Sequence, residues 1–129
     1  EKGEDVTIIA TGTMTYHAMV AAEQLFKDGI DAEVIHMPTI KPFDGNTVLK
    51  SVKKTGCVVT IEEAQIIGGL GSAVAEFLAE NHPVPMKRLG MQDRYGESGD
   101  GEELLEHFGL DAKHVRLAAH SVVDRKSDR

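Results

Sequence analysis

The chain has almost no cysteine and few aromatic side chains. Among its 129 residues it has one Cys, no Trp, four Phe and two Tyr. The lone Cys57 excludes an internal disulfide, which is typical of proteins from a reducing compartment, so we expect a cytoplasmic location. The scarcity of aromatic residues argues against a surface on which nucleic-acid bases stack.

Positive charge and long apolar runs are also lacking. The 14 Lys and Arg residues are outnumbered by 21 Asp and Glu residues, which gives a formal charge of −7. An acidic chain of this kind does not predict the basic surface that binds nucleic acid or anionic lipid. No apolar run approaches the roughly 20 residues that a membrane-spanning helix needs. We therefore expect neither nucleic acid nor a membrane as a partner.

Strand-like and helix-like segments alternate along the chain with short connections. The apolar stretches VTIIA and CVVTIEE are typical of strands that are covered on both faces. The predicted strands span residues 6–10, 31–37, 57–63 and 83–91. Asp44 and Asp111 are predicted helix N-caps, and Gly29 and Gly56 are predicted helix ends. Pro85 and the Lys87-Arg88 pair indicate that the fourth strand lies at a sheet edge.

This alternation predicts one α/β domain over residues 1–129. Its three layers are α/β/α around a mostly parallel sheet, because strands that alternate with helices form βαβ units. The last residues, 124–129, are expected to be a solvated tail.

A glycine-rich stretch, IIGGLGSAVAEFLAE (66–80), follows the third strand. If the strand order begins 2-1-3, this stretch lies beside Thr11-Gly12-Thr13 at the carboxyl edge of the sheet, where ligands bind in such folds. The glycines have two explanations, a phosphate cradle at a helix N-terminus or close packing of helix on strand. The order Gly69-x-Gly71-x-x-Val74 departs from the dinucleotide fingerprint, and no Walker lysine follows, so packing is favoured.

Chemistry-bearing residues do not form a recognisable catalytic set. Glu62 and Glu63 project to opposite faces of their strand and cannot form a tight carboxylate pair. We expect one of them to meet a nearby helix N-terminus or a partner, and the other to be solvated. The histidines and Cys57 lack metal-ligand spacing, and Ser72 is not in a nucleophile motif. The residues therefore predict no catalytic, cofactor-binding or metal-binding residue in this chain, and Cys57 is predicted to be a small core residue.

Three blocks carry a resemblance to a known family. They are T-I-K-P-F-D at 39–44, V-T-I-E-E with I-G-G-L-G-S-A at 59–73, and R-Y-G-E-S-G at 94–99. Together they resemble the C-terminal domain of transketolase, from about Gly3 to about Val115. The domain is shared by 1-deoxy-xylulose-5-phosphate synthase and the β subunits of 2-oxoacid dehydrogenases. The resemblance is strongest to transketolases encoded as separate N- and C-terminal chains.

The resemblance implies a five-stranded mixed sheet whose first strand is antiparallel. That strand would precede EKGED, so we expect a fragment or a split subunit of a larger enzyme. The whole enzyme would use thiamine diphosphate and Mg²⁺, bound by other domains, to transfer a two-carbon ketol unit between sugar phosphates in the pentose phosphate pathway. Its partners would be the remaining transketolase domains or an N-terminal subunit, in a homodimer, and this chain alone would be inactive.

The residues expected at the assembly interface lie at the carboxyl edge of the sheet. They are Glu62, Gln65, Ile66, Ile67, Arg94, Tyr95 and Ser98. Two alternatives remain open. One is a free-standing regulatory module that binds a nucleotide or phosphate through the glycine stretch and Thr11–Thr13. The other is the equivalent domain of a 1-deoxy-xylulose-5-phosphate synthase or a 2-oxoacid dehydrogenase β subunit.

Overall fold

Helices and strands alternate in the computed structural model, which describes residues 3–12, 14–37, 43–65, 69–91 and 111–127. In these residues the elements are β1 (Val6–Ala10), α1 (Met14–Lys27), β2 (Ala32–His36), α2 (Gly45–Thr55), β3 (Val58–Gln65), α3 (Leu70–Asn81), β4 (Met86–Met91) and α4 (Ala112–Ser127). None of these helices combines the length and apolar character needed to cross a bilayer.

The four described strands form one parallel sheet in the order β2-β1-β3-β4. Ile8 of β1 is in register with Val34 of β2 and Val59 of β3. This confirms the predicted parallel α/β fold and the 2-1-3 order. It also places β4 at an edge of the described sheet, as Pro85 and the Lys87-Arg88 pair predicted.

Two apolar clusters cover the two faces of the sheet. Strand residues alternate between them, so that Ile8 and Val59 lie on one face whereas Ile9 and Val58 lie on the other. The first cluster is completed by α1 and α4, through Met14, Ala18, Ala21, Ala22, Leu25, Val115, Ala119 and Val122. The second is completed by α2 and α3, through Val48, Val52, Leu70, Val74 and Leu78. The helices therefore form the two outer layers of the predicted α/β/α arrangement.

The predicted helix ends are confirmed where the structure describes them. The Asp44 carboxylate accepts a hydrogen bond from the Thr47 N–H at 3.2 Å, and Asp111 accepts one from the His114 N–H at 3.1 Å. Gly56 ends α2 at a φ of 77°, a left-handed conformation that favours glycine.

Some boundaries differ from the sequence prediction. β4 begins at Met86 rather than at residue 83, and β3 continues to Gln65. The segment expected to be a solvated tail continues the last helix as far as Ser127. The reason is a distant contact, because the Lys126 ammonium donates to the carbonyls of Asp5 and Thr55 at 2.7 and 2.8 Å.

A charged contact joins α1 to α4 on the outside of the first cluster. The Asp28 carboxylate accepts a hydrogen bond from Arg116 Nε at 2.8 Å, and His120 Nε2 lies 2.8 Å from the same carboxylate. These hydrogen bonds, that of Arg116 above all, lower the pKa of Asp28 to about 2.

We expect this contact to make stability depend on pH in acid. The folded pKa of about 2 lies below the ordinary 3.8, so the contribution of Asp28 is complete above about pH 4 and is lost as pH falls toward 2. Urea unfolding of wild type and Asp28→Asn at a series of pH values from 5 to 2 checks this. The stability difference between the two should shrink steadily over that range, whereas a constant difference would contradict it.

Candidate functional site at the carboxyl edge of the sheet

The ends of β1 and β3 meet at the edge where the sequence predicted a crevice. The Thr11 N–H donates to the Ile61 carbonyl at 3.3 Å, which holds the two strand ends side by side. On the other side of β1, Thr15 Oγ1 lies 2.7 Å from His36 Nδ1 and connects the start of α1 to the end of β2. The carboxyl edge is therefore bounded by three strand ends and the first turns of α1 and α3.

Glu62 is the central polar residue of this edge. Its side chain is only 2% exposed, and on β3 it shares the α2–α3 face with Val58 and Thr60. Glu62 Oε1 accepts a hydrogen bond from the Leu70 N–H at 2.7 Å, and Oε2 accepts one from the Gly71 N–H at 2.6 Å. The expected contact of one glutamate with a helix N-terminus is confirmed, and Glu62 is the residue that makes it.

The contact satisfies two amides that α3 itself leaves unpaired. The first N–H groups of a helix have no acceptor within the helix, and the partial positive charge there favours an anion. Gly69, at the N-cap position, has no side chain with which to accept them. The carboxylate of Glu62, eight residues before Leu70, takes the place of a capping side chain.

Burial and hydrogen bonding act on the Glu62 carboxyl in opposite directions. Burial raises its pKa, whereas the Gly71 and Leu70 amides and the nearby Arg88 charge lower it. The pKa is raised overall, so the cost of taking the charge out of water is the larger effect. The carboxylate is therefore held by its position against a considerable desolvation cost.

Close packing is confirmed for Gly71. A Cβ atom at this position would stand 3.0 Å from Arg88 Cδ and 3.1 Å from Thr60 Oγ1. A distance of this kind leaves no room for a side chain unless a neighbour moves, so glycine lets α3 lie directly against β3 and β4. The amides of Leu70 and Gly71 do hold an oxyanion, but that oxyanion is the chain's own Glu62.

Sequence reasoning missed Thr60 and Arg88. Thr60 is fully buried, and its hydroxyl has no hydrogen-bond partner among the described residues. The aliphatic part of Arg88 covers Gly71. Thr60 precedes Glu62 by two residues on the same strand, so the alternation of β3 placed both on one face, which was the available signal.

Other predicted residues have different outcomes. Cys57 is fully buried, as predicted for a core residue, and burial raises the pKa of its thiol. The described ranges contain no group of three or more His, Cys, Asp or Glu side chains arranged to hold a metal ion. Of the expected interface residues, Glu62 is buried within the chain and Gln65 ends β3. The others lie outside the described residues, and they are Ile66, Ile67, Arg94, Tyr95 and Ser98.

A family model described as the C-terminal domain of transketolase matches residues 1–115. The chain belongs to this family. It is 55% identical over 128 residues to a 6-deoxy-6-sulfo-D-fructose transketolase subunit of Clostridium sp. strain MSTE9, and 42% identical over 123 residues to an apulose-4-phosphate transketolase of Phocaeicola vulgatus. These matches cover 99% and 95% of the chain, but only 40% and 39% of the two relatives. The chain thus spans well under half the length of either relative.

Solved structures agree with the family. A structure described as the inactive β4 tetramer of a split-gene transketolase superposes with a TM-score of 0.94 at 45% identity, over 98% of this chain and 41% of that one. A transketolase from Pichia stipitis shares the fold, with a TM-score of 0.73 at 20% identity, over 100% of this chain and 18% of the other. A 1-deoxy-D-xylulose-5-phosphate synthase of Geobacter sulfurreducens is 39% identical over 127 residues, which are 97% of this chain and 20% of that protein.

We expect Glu62→Gln to destabilise the transketolase C-terminal domain by about 1–3 kcal/mol, because glutamine has one acceptor for two amides and turns an NH₂ group toward the other. Thermal and urea unfolding at pH 7 measure the change. Glu76→Gln is the matched control, because Glu76 lies on the side of α3 away from the core. That control should stay within about 0.5 kcal/mol of wild type. Equal effects of the two substitutions would contradict a specific role for Glu62.

Proposed function

We propose that this chain is the C-terminal part of a transketolase, which transfers a two-carbon ketol unit between sugar phosphates. The observation that carries the proposal is the 0.94 TM-score at 45% identity with the split-gene transketolase structure. The 55% identity to a transketolase subunit that acts on a sugar derivative supports it. The pentose phosphate pathway and the cytoplasm are the corresponding setting.

The chain's part in this activity is assembly rather than chemistry. The whole enzyme's cofactors would be thiamine diphosphate and Mg²⁺, and the carbanion chemistry is supplied by the cofactor when it is bound. The described residues do not fit the diphosphate at the carboxyl edge, because Glu62 already occupies the Leu70 and Gly71 amides. We therefore assign the cofactor to the remaining transketolase domains or an N-terminal subunit.

The proposed assembly surface is the carboxyl edge of the sheet. Within this chain Glu62 is already hydrogen-bonded to α3, so its part is to fix the edge, and the contacts with the rest of the enzyme would come from its neighbours. These are Gln65, Ile66, Ile67, Arg94, Tyr95 and Ser98. The relative described as a β4 tetramer supports self-association of such chains, and we propose a homodimer for the complete enzyme.

A second candidate within the thiamine-dependent enzymes is favoured by one observation. Several 1-deoxy-D-xylulose-5-phosphate synthases are 36–40% identical to this chain over most of its length. Their identity is lower than the 55% and 46% of two transketolase-type relatives, so transketolase is the better assignment. A free-standing nucleotide-binding module is less well supported, because the α3 amides are taken by Glu62.

We expect the purified 129-residue chain to show no ketol transfer with thiamine diphosphate, Mg²⁺, a ketose phosphate and an aldose phosphate. A coupled assay of the released aldose phosphate measures this. Adding the polypeptide that carries the remaining domains should give turnover, and pyruvate as donor should not replace the ketose phosphate. Turnover by the chain alone would refute the assignment, and a preference for pyruvate would favour the synthase.

We expect Arg94→Ala to weaken assembly of the complete enzyme about tenfold or more, because a large cationic side chain at an interface commonly carries over 1 kcal/mol. Sedimentation analysis of the complete enzyme over a concentration series measures the dissociation constant. Glu80→Ala, near the exposed end of α3, is the control and should leave the constant unchanged. An unchanged constant for Arg94→Ala as well would argue against this edge as the interface.

A further inference from the structure

The Glu62 contact is an oxyanion site in every respect except the origin of its anion. Two backbone N–H groups at the N-terminus of a 12-residue helix donate to the two carboxylate oxygens at 2.7 and 2.6 Å. The same arrangement of helix amides binds free phosphates and carboxylates in other proteins. In this chain the anion is tethered to β3, so the occupied state is built into the fold.

A second feature points to the same place. Thr60 is completely buried, and its hydroxyl lacks a hydrogen-bond partner among the described residues. Its Oγ1 would stand 3.1 Å from a Cβ at Gly71, so the hydroxyl lies against the residue whose amide holds Glu62 Oε2. A buried hydroxyl without a partner is unusual, and here it is a donor available to an anion at the end of α3.

The local charge also favours an anion. The Arg88 charge lowers the pKa of Glu62, and the aliphatic part of Arg88 covers Gly71. None of the ion pairs between described residues involves Arg88, so its charge acts on the anion at the end of α3. Two amides, a hydroxyl and a nearby guanidinium therefore surround one small volume.

We infer that the N-terminus of α3 is a general oxyanion site for carboxylates and phosphates, and that Glu62 is a built-in occupant that keeps free anions out. Glu62 succeeds because its tether gives it a high effective concentration at the amides. Removal of its side chain beyond Cβ opens a space of the size and charge preference of acetate, which contains the carbon and oxygen atoms that Glu62→Ala removes. In an enzyme whose proposed substrates are sugar phosphates, the tethered carboxylate prevents unproductive phosphate binding at this edge, so this last step rests on the proposed function.

The experiment is a chemical rescue of Glu62→Ala. Thermal unfolding is followed by circular dichroism in sodium chloride, sodium acetate and sodium phosphate at equal ionic strength and pH 7. We expect acetate and phosphate to raise the unfolding midpoint of Glu62→Ala by at least about 3 °C over chloride, because a ligand that binds only the folded state stabilises it. The wild-type midpoint should be the same in all three salts to within about 1 °C.

Two controls make the result specific. Glu62→Gln keeps the volume of the side chain, so it should be destabilised without being rescued by either anion. Thr60→Val in the Glu62→Ala background removes the hydroxyl at nearly constant volume and should reduce the rescue. If Glu62→Ala is unfolded in chloride, recovery of the helical signal in acetate or phosphate replaces the midpoint as the readout.

The outcomes separate cleanly, and none of them depends on ketol transfer. A rise that is specific to Glu62→Ala supports the site, and its dependence on Thr60 supports the role of the hydroxyl. An equal response of wild type and Glu62→Ala would show a general salt effect and overturn the inference. Failure of both acetate and phosphate to stabilise or refold Glu62→Ala would also overturn it, and rescue by acetate alone would overturn the exclusion of phosphate.

Discussion

The contact between Glu62 and the first amides of α3 is the constraint on which the carboxyl edge of the sheet depends. A carboxylate that leaves water loses several kcal/mol of hydration. Two hydrogen bonds to an ionised group return about 1.5–3 kcal/mol each, and the helix end adds a favourable field. These opposing effects are similar in size, so the contact contributes less to net stability than to position. If β3 and α3 moved apart, an anion and two amides would be left buried without partners.

Close packing at Gly71 follows from the same constraint. The Glu62 side chain is short enough that its oxygens reach the Leu70 and Gly71 amides only when α3 lies directly on the sheet. At that distance a Cβ on residue 71 would press on Thr60 Oγ1 and Arg88. Anion binding and close packing, which the sequence presents as alternatives for the glycines, are thus two consequences of one contact. The first glycine explanation fails only in assuming that the anion comes from outside.

Local patterns in the sequence were sufficient to predict the fold. The buried strands have continuous apolar runs, α1 has its apolar stripe from Met14 to Leu25, and Asp44 and Asp111 cap helices through residues three positions away. These signals act over short distances along the chain and can be read without a structure.

Contacts between distant residues could not be predicted in this way. The choice between Glu62 and Glu63 depends on which face of β3 α3 covers, and alternation alone does not decide that. Lys126 continues α4 to Ser127 by reaching carbonyls that are 121 and 71 residues away in the chain. A run of charges in isolation indicates solvent, because the partners that hold it become neighbours only in the folded chain.

The same reasoning bears on how this edge could serve assembly. Surfaces that are fixed before binding lose less conformational entropy when a partner arrives, so they bind more tightly for the same contacts. Glu62 ties β3 to the start of α3 and thereby fixes the chain on both sides of the connection between them. Its carboxylate is engaged by these two bonds, which leaves recognition of a partner to the side chains beside it. A buried glutamate can therefore matter to an interface without touching it, since its effect is on the position of residues that do.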